Sequence, residues 1–94
     1  MKENYKAYLL DVQTANREEM SNLKHMVISR LEDIIADAKR SMINAKNGDF
    51  NGIDIMCGNT ASALHRIMRD ASKISELRTQ NSTISMAMME DENE

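Results

Sequence analysis

Ala45-Lys46-Asn47-Gly48-Asp49-Phe50 interrupts an otherwise helix-like sequence at its middle, and its reading decides the fold. Gly48 suits the position just past a helix end, because it reaches positive φ without a Cβ clash. Asp49 suits the start of the next helix, since its carboxylate can accept the free N–H groups of a first turn. A stop beside a start predicts an all-α fold, a long antiparallel helical hairpin with its corner at 47–50. Working outward, the first arm is expected over about 3–46 and the second over about 50–80. A Met-rich acidic tail at 81–94 follows, within a single hairpin domain spanning 1–94.

Apolar spacing on the first arm runs through Leu9, Val12, Asn16, Met20, Leu23, Val27, Leu31, Ile34, Ala38, Met42 and Ala45. Steps of three, four and four make an eleven-residue repeat with a period of about 3.67 residues, which predicts a nearly straight seam. Asn16-Arg17-Glu18-Glu19 resembles a capping box, so a second reading puts a kink at 14–16 and a short extra N-terminal helix before it. The unbroken apolar phase favours one continuous helix. The second arm repeats every seven residues at Ile53, Thr60, Ile67, Ile74, Asn81 and Met88, a coiled-coil spacing, interleaved with Cys57, Leu64, Ala71 and Arg78. Gly58-Asn59 interrupts this arm, and a helical Gly costs about 1 kcal/mol relative to Ala, so a kink or a close helix contact is expected there.

Folding at Gly48 sets a register in which facing residue numbers sum to about 98. Met42 then faces Cys57, Ala38 faces Thr60, Ile34 faces Leu64, Leu31 faces Ile67 and Leu23 faces Ile74. The small residues Ala38, Ser41, Ala45, Gly58, Ala61 and Ser62 predict the closest approach of the arms near the corner. A second apolar stripe is left over. Ile28, Ile35 and Ile43 lie beside the seam on the first arm, and Met56, Ala63 and Leu77 on the second. Two helices cannot bury both stripes, so the chain is expected to pack as a dimeric or higher helical bundle.

Composition narrows the function classes. Three Gly and no Pro leave few breaks, and nine Met supply much of the apolar filling with an adaptable, polarizable side chain. The net charge of −3 is uneven: of 15 acidic residues against 12 basic ones, Glu90, Asp91, Glu92 and Glu94 belong to the tail, which leaves the body slightly positive. A near-neutral body argues against a strong nucleic-acid or membrane surface. No apolar run approaches the ~20 residues of a membrane span. One Cys fits a reducing compartment, and the N-terminus, Met1-Lys2-Glu3-Asn4-Tyr5-Lys6, has no signal-like apolar stretch, so the expected location is cytoplasmic.

Candidate chemistry is sparse. Cys57 has Ile53, Asp54, Thr60 and Ala61 as helical neighbours and no base beside it, which reads as a small core residue rather than a nucleophile. His25 and His65 lack His, Cys or carboxylate partners one turn away, so no metal site is expected. Glu18-Glu19 and Glu32-Asp33-Asp37 read as solvated charge. No cofactor and no catalytic residue are expected.

The leading expectation is therefore a non-enzymatic protein-interaction module, an adaptor, assembly or inhibitory protein that self-associates and binds a partner protein through a helix face. Its interface residues would be Ile28, Ile35, Ile43, Met56, Leu77, Ile84 and Met88, the last two in the Met-rich tail segment. A second expectation is RNA or DNA binding by the basic stripe of the second arm, Arg66, Arg69 and Lys73 beside His65. A third is sequestration of a small ligand between subunits near Tyr5, Tyr8 and Lys24.

Overall fold

The structure is a computed structural model describing residues 2–92, with the Glu92 side chain and the tail's Glu94 outside the described part. Two helices, α1 (Glu3–Lys46) and α2 (Ile53–Glu92), pack against each other as a hairpin. α1 is unbroken at 14–16. Thr14 Oγ1 donates back to the Leu10 carbonyl at 3.0 Å within the helix, and Asn16, the would-be cap, is buried in the seam instead. α1 starts with the Lys2 carbonyl accepting from the Tyr5 and Lys6 N–H groups. Glu3 in its first turn and Lys46 in its last complement the helix dipole.

The corner is a Schellman motif. Gly48 has φ +88°, its N–H donates to the Ala45 carbonyl at 3.0 Å, and the Asp49 N–H donates to the Asn44 carbonyl at 2.9 Å. Asp49, however, does not cap α2. Its Oδ1 accepts from the Asn51 N–H at 3.0 Å, forming a local turn. The cap position falls to Gly52, whose carbonyl accepts from Met56 N–H at 2.9 Å. The corner is thus longer than expected, reaching residue 52, and α2 begins at Ile53. The tail segment from 81 is not separate: α2 continues through it to Glu92.

Packing divides the hairpin into an end unit, residues up to 24 with those from 71 on, and a corner unit, His25–Asp70. In the end unit the side chains turned inward on α1 are Leu9, Gln13, Asn16, Met20 and Leu23. On α2 they are Ile74, Leu77, Asn81, Ile84 and Met88. In the corner unit they are Val27, Arg30, Ile34, Asp37 and Ser41 on α1, facing Ile53, Met56, Thr60, Ala63, Ile67 and Asp70 on α2. Every set alternates steps of three and four, so both helices follow a heptad.

This corrects the eleven-residue reading of α1, because Leu31, Ala38 and Met42 are exposed while Arg30, Asp37 and Ser41 take the seam. It also corrects the interleaved set on α2: Cys57, Leu64, Ala71 and Arg78 are exposed, and Met56, Ala63, Asp70, Leu77 and Ile84 stand in their place. The physical reason is that a long helix keeps facing its partner only while its inward residues recur every 3.5 residues on average. A 3.67 period would carry the seam around α1 away from α2. Gln13, Asn16 and Asn81, and likewise Arg30 and Asp70, are accommodated at heptad positions because they bond one another.

The register near 98 holds closely. Gln13 bonds the expected Ser85, Asn16 bonds Asn81, one residue off, and Arg30 pairs with Asp70, two residues off. The expected partners Met42–Cys57 are both exposed, as are Ala38, Leu31 and Leu64 from the neighbouring pairs. Of the six small residues expected in a close approach, Ala38, Gly58, Ala61 and Ser62 are exposed. α2 is continuous through Gly58, and a Cβ placed there would meet no atom within 4 Å, so neither a kink nor a close contact explains this glycine.

Candidate interaction surface

Two polar clusters interrupt the seam. In the end unit Gln13 is 3% exposed. Its Nε2 donates to the Asn81 carbonyl at 3.0 Å and to Ser85 Oγ at 2.8 Å. Asn81 Nδ2 returns a bond to the Gln13 carbonyl at 3.2 Å, and Asn16 Nδ2 donates to Asn81 Oδ1 at 2.9 Å. In the corner unit the Arg30 guanidinium pairs with the buried Asp70 carboxylate. Among the described residues no buried side-chain polar atom lacks a partner. These clusters use their polar groups on each other, which leaves the outward faces as the candidate sites.

Taking the inward positions as a and d of the heptad, residues just after them (b and e) form one flank of each helix, and those just before (g and c) form the other. Antiparallel helices bring their two e flanks to the same side and their two g flanks to the opposite side. The grooves agree with this. Asp33 of α1 lines one groove with Asn59 and Arg66 of α2, all g positions, in the corner unit. Arg17 lines another with Arg78 and Ser85, all e positions, in the end unit.

In the corner unit the two flanks differ sharply in chemistry. The b/e flank carries Ile28, Leu31, Ile35 and Met42 from α1 with Leu64 and Met68 from α2, all exposed, Ile35 to 53% and Met68 to 69%. Ala38, Cys57 and Ala61 fill positions between them. Of the b and e positions in this unit, Asp54 alone is charged. The g flank instead forms an open polar groove holding Asp33, Asp37, Asn59, Ser62 and Arg66 beside the Arg30–Asp70 pair. Arg40 Nη1 lies 3.4 Å from Asp37 Oδ1 along the same helix. Sequence reasoning placed Ile28 and Ile35 on this surface but missed the rest of the flank because it assigned Leu31, Met42 and Leu64 to the seam. The signal that would have found it is a second three-four alternation, at 28, 31, 35, 38 and 42 and at 57, 61, 64 and 68.

The expected interface residues separate accordingly. Ile28 and Ile35 are exposed on the apolar flank, and Ile43 is exposed at a c position on the other side of α1. Leu77 is corrected: at 3% exposure it fills the seam of its own hairpin and offers nothing to a partner. Met56, Ile84 and Met88 are half-buried at seam positions for the same reason, the heptad phase of α2.

His65, Arg66 and Arg69 are exposed and share an open groove with Ala61 and Ser62 in the corner unit. Lys73 lies in the end unit with its Nζ 3.8 Å from Glu76 Oε2. Tyr5 and Tyr8 are exposed and stacked, with ring centroids 6.2 Å apart and planes at 22°, and Lys24 is exposed. Cys57 is a free, exposed thiol, not the core residue expected, because it sits one position outside the seam. His25, Glu18, Glu19, Glu32 and Asp33 are exposed.

Among the described residues no group of three or more His, Cys, Asp or Glu is placed to hold a metal ion, and no helix is long and apolar enough to cross a membrane. Compared with protein-family models, curated proteins and solved structures, the chain gives no match.

Proposed function

We propose that this chain is a small non-enzymatic protein-interaction module, of the adaptor, assembly or inhibitory kind, acting by self-association and by helix-face binding to a partner protein. One observation carries the reading. Among the described residues fifteen large hydrophobic side chains are exposed, against two that are buried, Leu9 and Leu77. Burying a large apolar side chain stabilises by about 1.5–3 kcal/mol, so a surface of this kind gains most from being covered. Light scattering at micromolar concentration, on the wild type and on Ile28→Ser/Ile35→Ser, tests it together with affinity capture from producing cells. The reading requires association or capture that the double variant weakens. A monomer with no capture that responds to the variant removes it.

A second reading, RNA or DNA binding, is favoured by the exposed Arg66 and Arg69 in their shared groove with His65. It requires binding that weakens as salt rises and that falls when Arg66, Arg69 and Lys73 are replaced by Ala. Absence of binding at low salt eliminates it.

A further inference from the structure

The corner unit is short of core and long on apolar surface. Both buried hydrophobic side chains, Leu9 and Leu77, belong to the end unit, and among the described residues the corner unit buries no hydrophobic side chain to that degree. The same unit carries the exposed b/e flank of Ile28, Leu31, Ile35, Met42, Leu64 and Met68. Six such side chains, each about half exposed, present about 600 Å² of apolar surface, near the ~800 Å² that each partner contributes to a stable interface.

Building on the interaction reading above, we propose that this flank is covered by the same flank of a second copy of the chain, related by a twofold axis, so that two corner units form a four-helix arrangement. Three observations select a second copy. A twofold interface sets one patch against itself, which an uncharged surface tolerates and a surface of a single charge sign does not. Apart from Asp54 beside the corner, this flank is uncharged. Its three-four alternation, on both helices, is the spacing that another helix pair with the same period fits by knobs-into-holes packing. Asp33, Arg40 and Arg66 stand at g positions on the opposite flank and stay in water when the copies meet. A membrane surface is the poorer occupant, since no Lys or Arg stands at the b and e positions of this unit to meet lipid headgroups.

Cys57, exposed at an e position of this flank, reports its cover in the unmodified protein. Alkylation of Cys57 is followed across protein concentration beside sedimentation equilibrium. The expected result is a dimer whose thiol reacts at least about tenfold more slowly well above the dissociation constant than well below it. Ile35→Glu/Met68→Glu is expected to be monomeric and Ile43→Glu to remain a dimer. Circular dichroism checks both variants for folding, and if the double variant unfolds the wild-type thiol still decides. A dimer whose Cys57 reacts equally fast at every concentration, or one that Ile43→Glu dissociates, overturns this flank while leaving the interaction reading in place through another face. A monomer at all concentrations also overturns it, and the wider reading then stands or falls on partner capture.

Discussion

Asn16 and Asn81 join the two helices of the end unit side chain to side chain, Nδ2 to Oδ1, at 2.9 Å. Asn81 also exchanges bonds with Gln13: its Nδ2 donates to the Gln13 carbonyl, and its own carbonyl accepts from Gln13 Nε2. One residue of α2 therefore satisfies two of α1, three positions apart, and a slip of the hairpin by one residue would break the set. A buried polar layer of this kind favours one register over its neighbours. Asn81→Ala leaves Asn16 without its 2.9 Å acceptor and the Gln13 carbonyl without its donor. The expected cost is about 1–3 kcal/mol, read from the urea midpoint. A loss below about 0.5 kcal/mol would mean that water replaces these bonds and that the layer does not set the register.

Arg30 and Asp70 make the corresponding tie in the corner unit, with Asp70 only 7% exposed. Asp70→Ala strands a guanidinium in the seam and should cost about 2–4 kcal/mol, somewhat less than a fully buried pair because Arg30 keeps some access to water. Arg30→Leu/Asp70→Leu should recover most of that loss, since the seam then packs apolar against apolar. Chemical denaturation of both variants checks the pair. If the double variant is as weak as Asp70→Ala, the ion pair contributes packing that leucine cannot replace.

These two ties explain which parts of the fold were legible in the sequence. Gly48 announced the turn because only a residue free of Cβ takes φ +88° without strain, and the seven-residue spacing of Ile53, Thr60 and Ile67 announced one side of α2. The phase of α1 was legible only in part: Leu9, Asn16, Met20, Leu23, Val27 and Ile34 stand in the seam as expected, whereas Leu31, Ala38 and Met42 do not. Hydrophobic periodicity follows apolar residues, whereas this seam accepts Gln13, Asn16, Arg30 and Asp37 and turns Leu31 and Met42 outward. Polar seam residues become recognisable only with their partners, sixty-five positions away for Asn16 and Asn81. The same ambiguity hid part of the apolar flank, since Leu31 and Leu64 were absorbed into the wrong stripe. Asp49 misled more simply: its carboxylate had a nearer donor, Asn51 N–H, than the helix it was expected to cap.

Gly48→Val is expected to destabilise the hairpin, because a β-branched residue is strained at positive φ. A penalty of about 1–3 kcal/mol corresponds to a melting temperature lower by about 5–20 °C for a chain of this size. Relief of the strain by opening the corner would instead give a domain-swapped dimer, in which α2 pairs with α1 of another copy. Calorimetry with size-exclusion chromatography separates the outcomes. An unchanged melting temperature and unchanged oligomeric state would mean that the turn does not depend on a left-handed residue.

Gly58 provides the opposite case. An added Cβ at either Gly48 or Gly58 would meet no atom within 4 Å, so space does not distinguish them; backbone conformation does. Gly58 lies inside α2 on its outward side, away from both the seam and the apolar flank, and positive φ among the glycines is confined to Gly48. Gly58→Ala therefore changes only intrinsic helix preference and should stabilise by about 1 kcal/mol. Thermal melts of the single variant and of Gly48→Val/Gly58→Ala check this, with the two effects adding because the sites share no partner. A destabilised Gly58→Ala would show that something approaches the outer side of α2 at this point in the associated protein. It would direct the search for the partner's surface there instead of to the flank of Ile35 and Met68.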